Sequence, residues 1–232
     1  MSDIDLIREH VCHANRSLPA HGLVTLTWGN VSAITADRRH VAIKPSGVPY
    51  EKIVPKDVVV VDLSGTRVAG ELNPSTDLET HLAIYRAFPA AGAVVHTHSL
   101  HATMFAQARR EIPCLGTTHA DHFAGPIPVT RQLTPGEMPD YEAATGRVIV
   151  ERFHDLDPAA IPGVLVAAHA PFAWGATLAK AVENAVAMEA VARMAIGTLA
   201  INPAAATLED HVLRKHHERK HGVGAYYGQK QC

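Results

Sequence analysis

The chain has 232 residues, of which 47% are hydrophobic and 19% charged, a composition that excludes a disulfide-stapled miniprotein or a disordered polyelectrolyte and suits one large domain. Twenty-one Lys and Arg against 23 Asp and Glu leave a formal charge of −2, which provides no field for gathering nucleic acid.

Ile4, Ile7, Val11 and Ala14 share one stripe of residues 3–16, an opening amphipathic helix broken by Pro19 and Gly22. Runs rich in β-formers follow at 23–27, 31–34, 40–44 and 58–63, and read as consecutive strands of one sheet. Thr76-Asp77-Leu78-Glu79 matches a capping box, which predicts a helix to about Phe88 with Asp77 in its first turn. Val94-Val95-His96-Thr97-His98 reads as a strand, and Ser99 as the cap of a helix over 100–109. A loop-rich stretch around 111–137 leads to a helix near 140–153, and Gly163-Val164-Leu165-Val166 is a buried strand running toward His169. Residues 177–200 form a long helix apolar on more than one face, suited to burial against the sheet or a neighbouring subunit. A basic helix over 207–221 and a Gly-rich tail with Tyr226-Tyr227-Gly228 come last. No repeat or linker divides the chain, so residues 1–232 are expected to form one α/β domain.

Cys12, Cys114 and Cys232 are too few and too scattered for a disulfide framework or a CxxC metal site, which favours reduced thiols in a cytoplasm. The first ten residues are interrupted by charges, and the most apolar long stretch holds Glu183, Glu189 and Arg193, so neither export nor a membrane span is expected. The unusual count is 16 histidines, more than the five Phe, five Tyr and two Trp together. Histidine is where the chemistry is sought.

His96-Thr97-His98 places two imidazoles on one face of a strand, where they can converge on an ion, although two hydrogen-bonded histidines at a strand end would look the same. His169 and Asp77 are the other ligand candidates, and three imidazoles with one carboxylate suit zinc. His81, on the same helical face as Asp77, and His101, just past the strand, are candidates for support. A second cluster, Gly29-Asn30, Lys44-Pro45-Ser46-Gly47 and Pro74-Ser75-Thr76, offers the hydroxyls, lysine and helix-start amides that a phosphate dianion needs. Each of these segments is also an ordinary turn. Asp121, in Thr117-Thr118-His119-Ala120-Asp121, is either a proton acceptor or a loop cap. The basic run 214–221 is a solvated helix face or an anion or subunit contact, and a tail tyrosine can anchor the chain or act as an acid.

These segments resemble the L-ribulose-5-phosphate 4-epimerases of the class II sugar-phosphate aldolase/epimerase superfamily. The resemblance runs through Leu23 to Ser32, Ile43 to Val48, Val95 to Ser99, Gly116 to Asp121, Pro171 to Gly175 and Ala225 to Gln229, six separated motifs in order. It implies a central, mainly antiparallel sheet flanked by helices, assembled as a homotetramer with sites at subunit interfaces. By this likeness Asp77, His96, His98 and His169 hold Zn2+, with Mn2+ or Co2+ as alternatives, and Gly29, Asn30, Lys44, Ser46, Gly47, Ser75 and Thr76 bind the substrate. Asp121 and Tyr227 match the acid/base pair and His216 a position near the substrate phosphate, with Tyr227 and His216 coming from the neighbouring chain.

The implied reaction interconverts L-ribulose 5-phosphate and D-xylulose 5-phosphate. The hydrogen on C4 is not acidic, because no carbonyl is adjacent, so the implied route is retro-aldol cleavage between C3 and C4. Glycolaldehyde phosphate is retained, turned over and added back, while the metal acts as a Lewis acid for the three-carbon fragment. Related aldolases tend to carry Glu where this chain has Asp77, which favours a permanent ligand and an epimerase; the family's pair of serines before it is Ser75-Thr76 here. The alternatives are an aldolase that releases its aldehyde, a zinc hydrolase using Asp121 as base, and a His-rich metal-storage or interaction protein.

Overall fold

A computed structural model describes residues 2–228. Helix α1 (Asp3–Ser17) opens on a capping box between Ser2 and Asp5 and buries Ile7, Val11, Cys12, Ala14 and Asn15. Asn15 donates to the Val31 carbonyl at 3.0 Å and accepts from the Val31 amide at 2.8 Å, so its carboxamide pins the helix to the first strand. The strands are β1 (Gly29–Ile34), β2 (His40–Ile43), β3 (Val59–Asp62) and β4 (Arg67–Ala69), followed by helix α2 (Leu78–Ala87), strand β5 (Ala93–Thr97) and helix α3 (Leu100–Ala108). The short α4 (Thr117–Ala120), then α5 (Tyr141–Arg152), β6 (Gly163–Leu165), β7 (Pro171–Gly175), α6 (Leu178–Ile201) and α7 (Asp210–His221) complete the order.

The seven strands form one sheet in the order β4-β3-β2-β1-β5-β7-β6, with every neighbouring pair antiparallel. α1 and α6 pack on one face, and α2, backed by α5, covers the other. This is the single α/β domain with a flanked antiparallel sheet that the sequence implies. The apolar 24-residue α6 is long enough to cross a membrane, but it lays its Ala181, Ala185, Met188 and Ala192 face on β7 and β5. Cys12 and Cys114 are buried free thiols, whereas Cys232 and Gln229 lie outside the described residues.

Four local expectations are corrected. Residues 23–27 form no strand: Leu23 is buried, Leu26 takes φ 53° in a turn, and the strand begins at Gly29. The capping box at Thr76 does not form; α2 starts one residue later with Asp77 at the N-cap position, its carboxylate making no cap bond. Ser99 is the N-cap residue of α3, yet Glu189 of α6 accepts from the His101 and Ala102 amides instead. His169 lies in the turn between β6 and β7 rather than at a strand end, after Ala168 at φ 62°.

Candidate metal centre and active site

Sheet register assembles the centre. Asn30 pairs with His96 across β1 and β5, and His96 pairs with Phe172 across β5 and β7, so three strands contribute adjacent side chains. Gly29, at φ 129°, permits this approach, because a Cβ there would lie 2.8 Å from the His96 carbonyl oxygen. The His96 ring stacks on Phe172 at 4.1 Å.

His96, His98 and His169 converge, their ligand nitrogens all within 4.8 Å of one another. His96 Nδ1 donates to the Pro171 carbonyl at 3.0 Å, which fixes the tautomer and leaves Nε2 with its lone pair facing the cluster. His169 Nδ1 pairs with the Tyr141 hydroxyl at 3.0 Å, and its Nε2 comes 3.3 Å from His96 Nε2. Two nitrogens each about 2.0–2.1 Å from a tetrahedral ion lie about 3.4 Å apart, so this spacing fits a metal. Burial, reinforced by the other imidazoles, pushes His98 and His169 down to about 4, so both are neutral donors at pH 7.

Asp77 borders the triad, with Oδ2 4.0 Å from His96 Nε2. The same oxygen accepts from Asn30 Nδ2 at 2.7 Å and from the Ser75 hydroxyl at 3.2 Å. Burial alone would raise its pKa; the neighbouring histidines and the Asn30 bond outweigh that and hold the carboxyl below its usual range. A carboxylate beside three imidazoles is a donor set that zinc accepts.

The polar loops meet alongside. Ser46 N donates to the Asn73 carbonyl at 3.0 Å and Ser75 N to the Lys44 carbonyl at 2.9 Å, which brings Lys44, Ser46 and Gly47 against Ser75 and Thr76 at the start of α2. Gly47 sits at φ 68°, a turn conformation that favours glycine. Lys44 is 2% exposed, and its ammonium touches only the Pro45 carbonyl at 3.3 Å and the Tyr50 ring at 5.0 Å. Burial lowers it to about 8, so it stays largely cationic at neutral pH with no carboxylate partner among the described residues. Asn30 Oδ1 is likewise buried and unpartnered.

Asp121 belongs to a second cluster. Its carboxylate accepts from Arg219 through both oxygens, at 3.0 and 2.6 Å, and from His216 Nδ1 at 3.1 Å, with Lys220 Nζ at 3.9 Å. Burial would raise its pKa, but the Arg219 and His216 bonds outweigh this and hold the carboxyl low. Tyr227 lies against the same helix, its ring 5.3 Å from the Arg219 guanidinium and 4.4 Å from Lys220 Nζ. Among the described residues no hydrogen bond or ion pair joins this cluster to the histidine triad.

Of the two supporting candidates, His81 is fully buried, bonding Ser32 Oγ at 2.6 Å in a chain that runs on to Tyr85. His101 pairs with Glu189 at 2.6 Å, bracing α3 against α6. Sequence reasoning missed Tyr141, Arg219 and Glu189, because each acts through a partner between 28 and 98 positions away.

Residues 9–196 match the family described as Class II Aldolase and Adducin N-terminal domain. Among solved structures, an L-fuculose 1-phosphate aldolase is 25% identical with a TM-score of 0.77, the match covering 92% of this chain and 95% of that one. YgbL from Escherichia coli is 23% identical with a TM-score of 0.73, covering 92% and 99%. An aldolase II superfamily protein from Pseudomonas syringae shares the fold at 18% identity, with a TM-score of 0.77 and coverage of 98% and 88%.

Proposed function

Because the chain belongs to the class II aldolase and adducin N-terminal domain family, we propose that it is a metal-dependent L-ribulose-5-phosphate 4-epimerase. The observation that carries this reading is the convergence of His96, His98 and His169 beside an Asp77 whose carboxylate is already held by Asn30 and Ser75. A carboxylate so engaged serves as a fixed ligand rather than a mobile base, which favours epimerisation over the aldolase chemistry of members with Glu at this place.

His96, His98, His169 and Asp77 hold the divalent ion, and it supplies Lewis acidity for the negative charge that develops on the three-carbon fragment. Lys44 is the buried cation that a phosphate dianion would satisfy, with Asn30, Ser46, Gly47, Ser75 and Thr76 offering hydrogen bonds around it. One of Asp121 and Tyr227 takes the proton from the C4 hydroxyl as the C3–C4 bond breaks, its electron pair passing to C3. The retained glycolaldehyde phosphate rotates and is attacked on its other face, and the second residue returns a proton to the new C4 oxygen. Arg219 and His216 tie α7 to Asp121, which follows α4 within the domain, so carboxylate and tail tyrosine lie together on one chain, where the resemblance alone had put Tyr227 and His216 on the neighbouring chain. A homotetramer in which this tail closes a neighbour's site would bring both proton-transfer groups to the metal centre together.

The likeness to an L-fuculose 1-phosphate aldolase favours a second reading, an aldolase that releases its aldehyde. Metal-replete protein incubated with L-ribulose 5-phosphate separates the two. Chelator-sensitive D-xylulose 5-phosphate without free glycolaldehyde phosphate is expected; accumulated aldehyde would establish the aldolase.

A further inference from the structure

Helix α7 buries none of its residues fully, and its docking centres on one carboxylate. Asp121 accepts two bonds from Arg219 and one from His216, lies near Lys220, and offers its backbone carbonyl to His221 Nε2 at 2.9 Å. Arg219 also turns the other way. Its carbonyl accepts from the Tyr226 amide at 3.0 Å and the Tyr227 amide at 3.1 Å, folding the tail back, and its guanidinium faces the Tyr227 ring. One side chain therefore touches both members of the proton-transfer pair.

The geometry points to Arg219 as the positioning residue that fixes Asp121 and Tyr227 as one unit, the planar guanidinium holding the carboxylate edge-on and the phenol beside it. This rests on the epimerase reading for the pair's role. The planar fork matters: a lysine ammonium keeps the charge but cannot span both carboxylate oxygens while facing the ring. Lys215 provides an internal comparison, because it lies 5.3 Å from the Tyr226 ring on the same helix but, among the described residues, makes no hydrogen bond or ion pair with Asp121.

The test compares Arg219→Met, Arg219→Lys and Lys215→Met in the full chain. Both Arg219 variants are expected to lose about 100-fold in kcat with KM within about threefold, because binding groups are intact and only the alignment is lost. Lys215→Met should stay within about twofold on both constants. A readout that needs no substrate is the ring resonance of 13C-labelled Tyr227, which should shift when Asp121→Asn is made in the wild-type background and should not when it is made with Arg219→Met. Wild-type kcat in either Arg219 variant, or a Tyr227 resonance that follows Asp121 equally well without Arg219, would overturn the proposal. Should L-ribulose 5-phosphate not turn over at all, the epimerase reading falls, and the Tyr227 resonance alone decides for or against Arg219.

Discussion

Lys44 and Tyr141 show how single residues serve the site by different means. Lys44 is a buried cation without a carboxylate partner among the described residues, a costly arrangement unless an anion arrives. Lys44→Met is therefore expected to raise the melting temperature of the ligand-free protein while raising KM for a sugar phosphate at least about tenfold, the loss of one charge-assisted contact. Thermal melts and steady-state kinetics on the same preparation check both halves. Tyr141 orients His169 through Nδ1, and removing such a partner typically costs about 10–100-fold in metal affinity. Tyr141→Phe should show that loss in competition with a chelator while leaving the fold unchanged. His96, His98, Asp77 and the loops carrying Lys44 and Ser75 were legible in the sequence because each sits in a short motif with local spacing. Tyr141 was not, because its partner is 28 residues away and nothing in a lone tyrosine marks it.

At the scale of elements, the pairing of strands does most of the positioning. The helix periodicities of α1, α5 and α6 and the strands with alternating or continuous apolar runs were readable from residue spacing. The run 23–27 has the composition of a strand but lies outside the sheet, where Leu26 at positive φ turns the chain into Gly29. β7 hides in Pro171-Phe172-Ala173-Trp174-Gly175, a run opened by proline and closed by glycine whose strand character comes from being held between β5 and β6. The start of α2 was misplaced by one residue because Asp77 turns its carboxylate toward Asn30 and the histidines rather than toward its own helix. α7 makes the clearest prediction at this scale. It fully buries no residue, so removing residues 209–232 should leave the metal affinity and the fold of the remainder in place while lowering turnover by at least about 100-fold, the contribution expected of a positioned acid or base. Loss of metal binding on truncation would contradict the separation of the two clusters.

For the whole molecule, two buried histidines, His81 and His119, and two half-buried ones, His98 and His169, dominate the response to acid. Burial pushes His98, His119 and His169 down to about 4 and His81 to about 3, each below the ordinary value of 6.5. The unfolded chain takes up protons on these residues from pH 6.5 downward while the folded chain does not, so stability is full above 6.5 and is lost as pH falls toward 4. Denaturant melts of metal-free protein should weaken steadily across that window. His119→Gln, which removes an imidazole whose one side-chain hydrogen bond among the described residues is to the Gly125 carbonyl, should flatten the slope by about one proton.

The central claim is that cleavage and re-addition occur on one retained fragment. Metal-replete protein would be given L-ribulose 5-phosphate together with 13C-labelled glycolaldehyde phosphate in the medium, and the D-xylulose 5-phosphate formed would be analysed for label. The account predicts metal-dependent product essentially free of label. Product that carries the label in proportion to the medium would contradict retention and make the protein an aldolase whose fragment escapes.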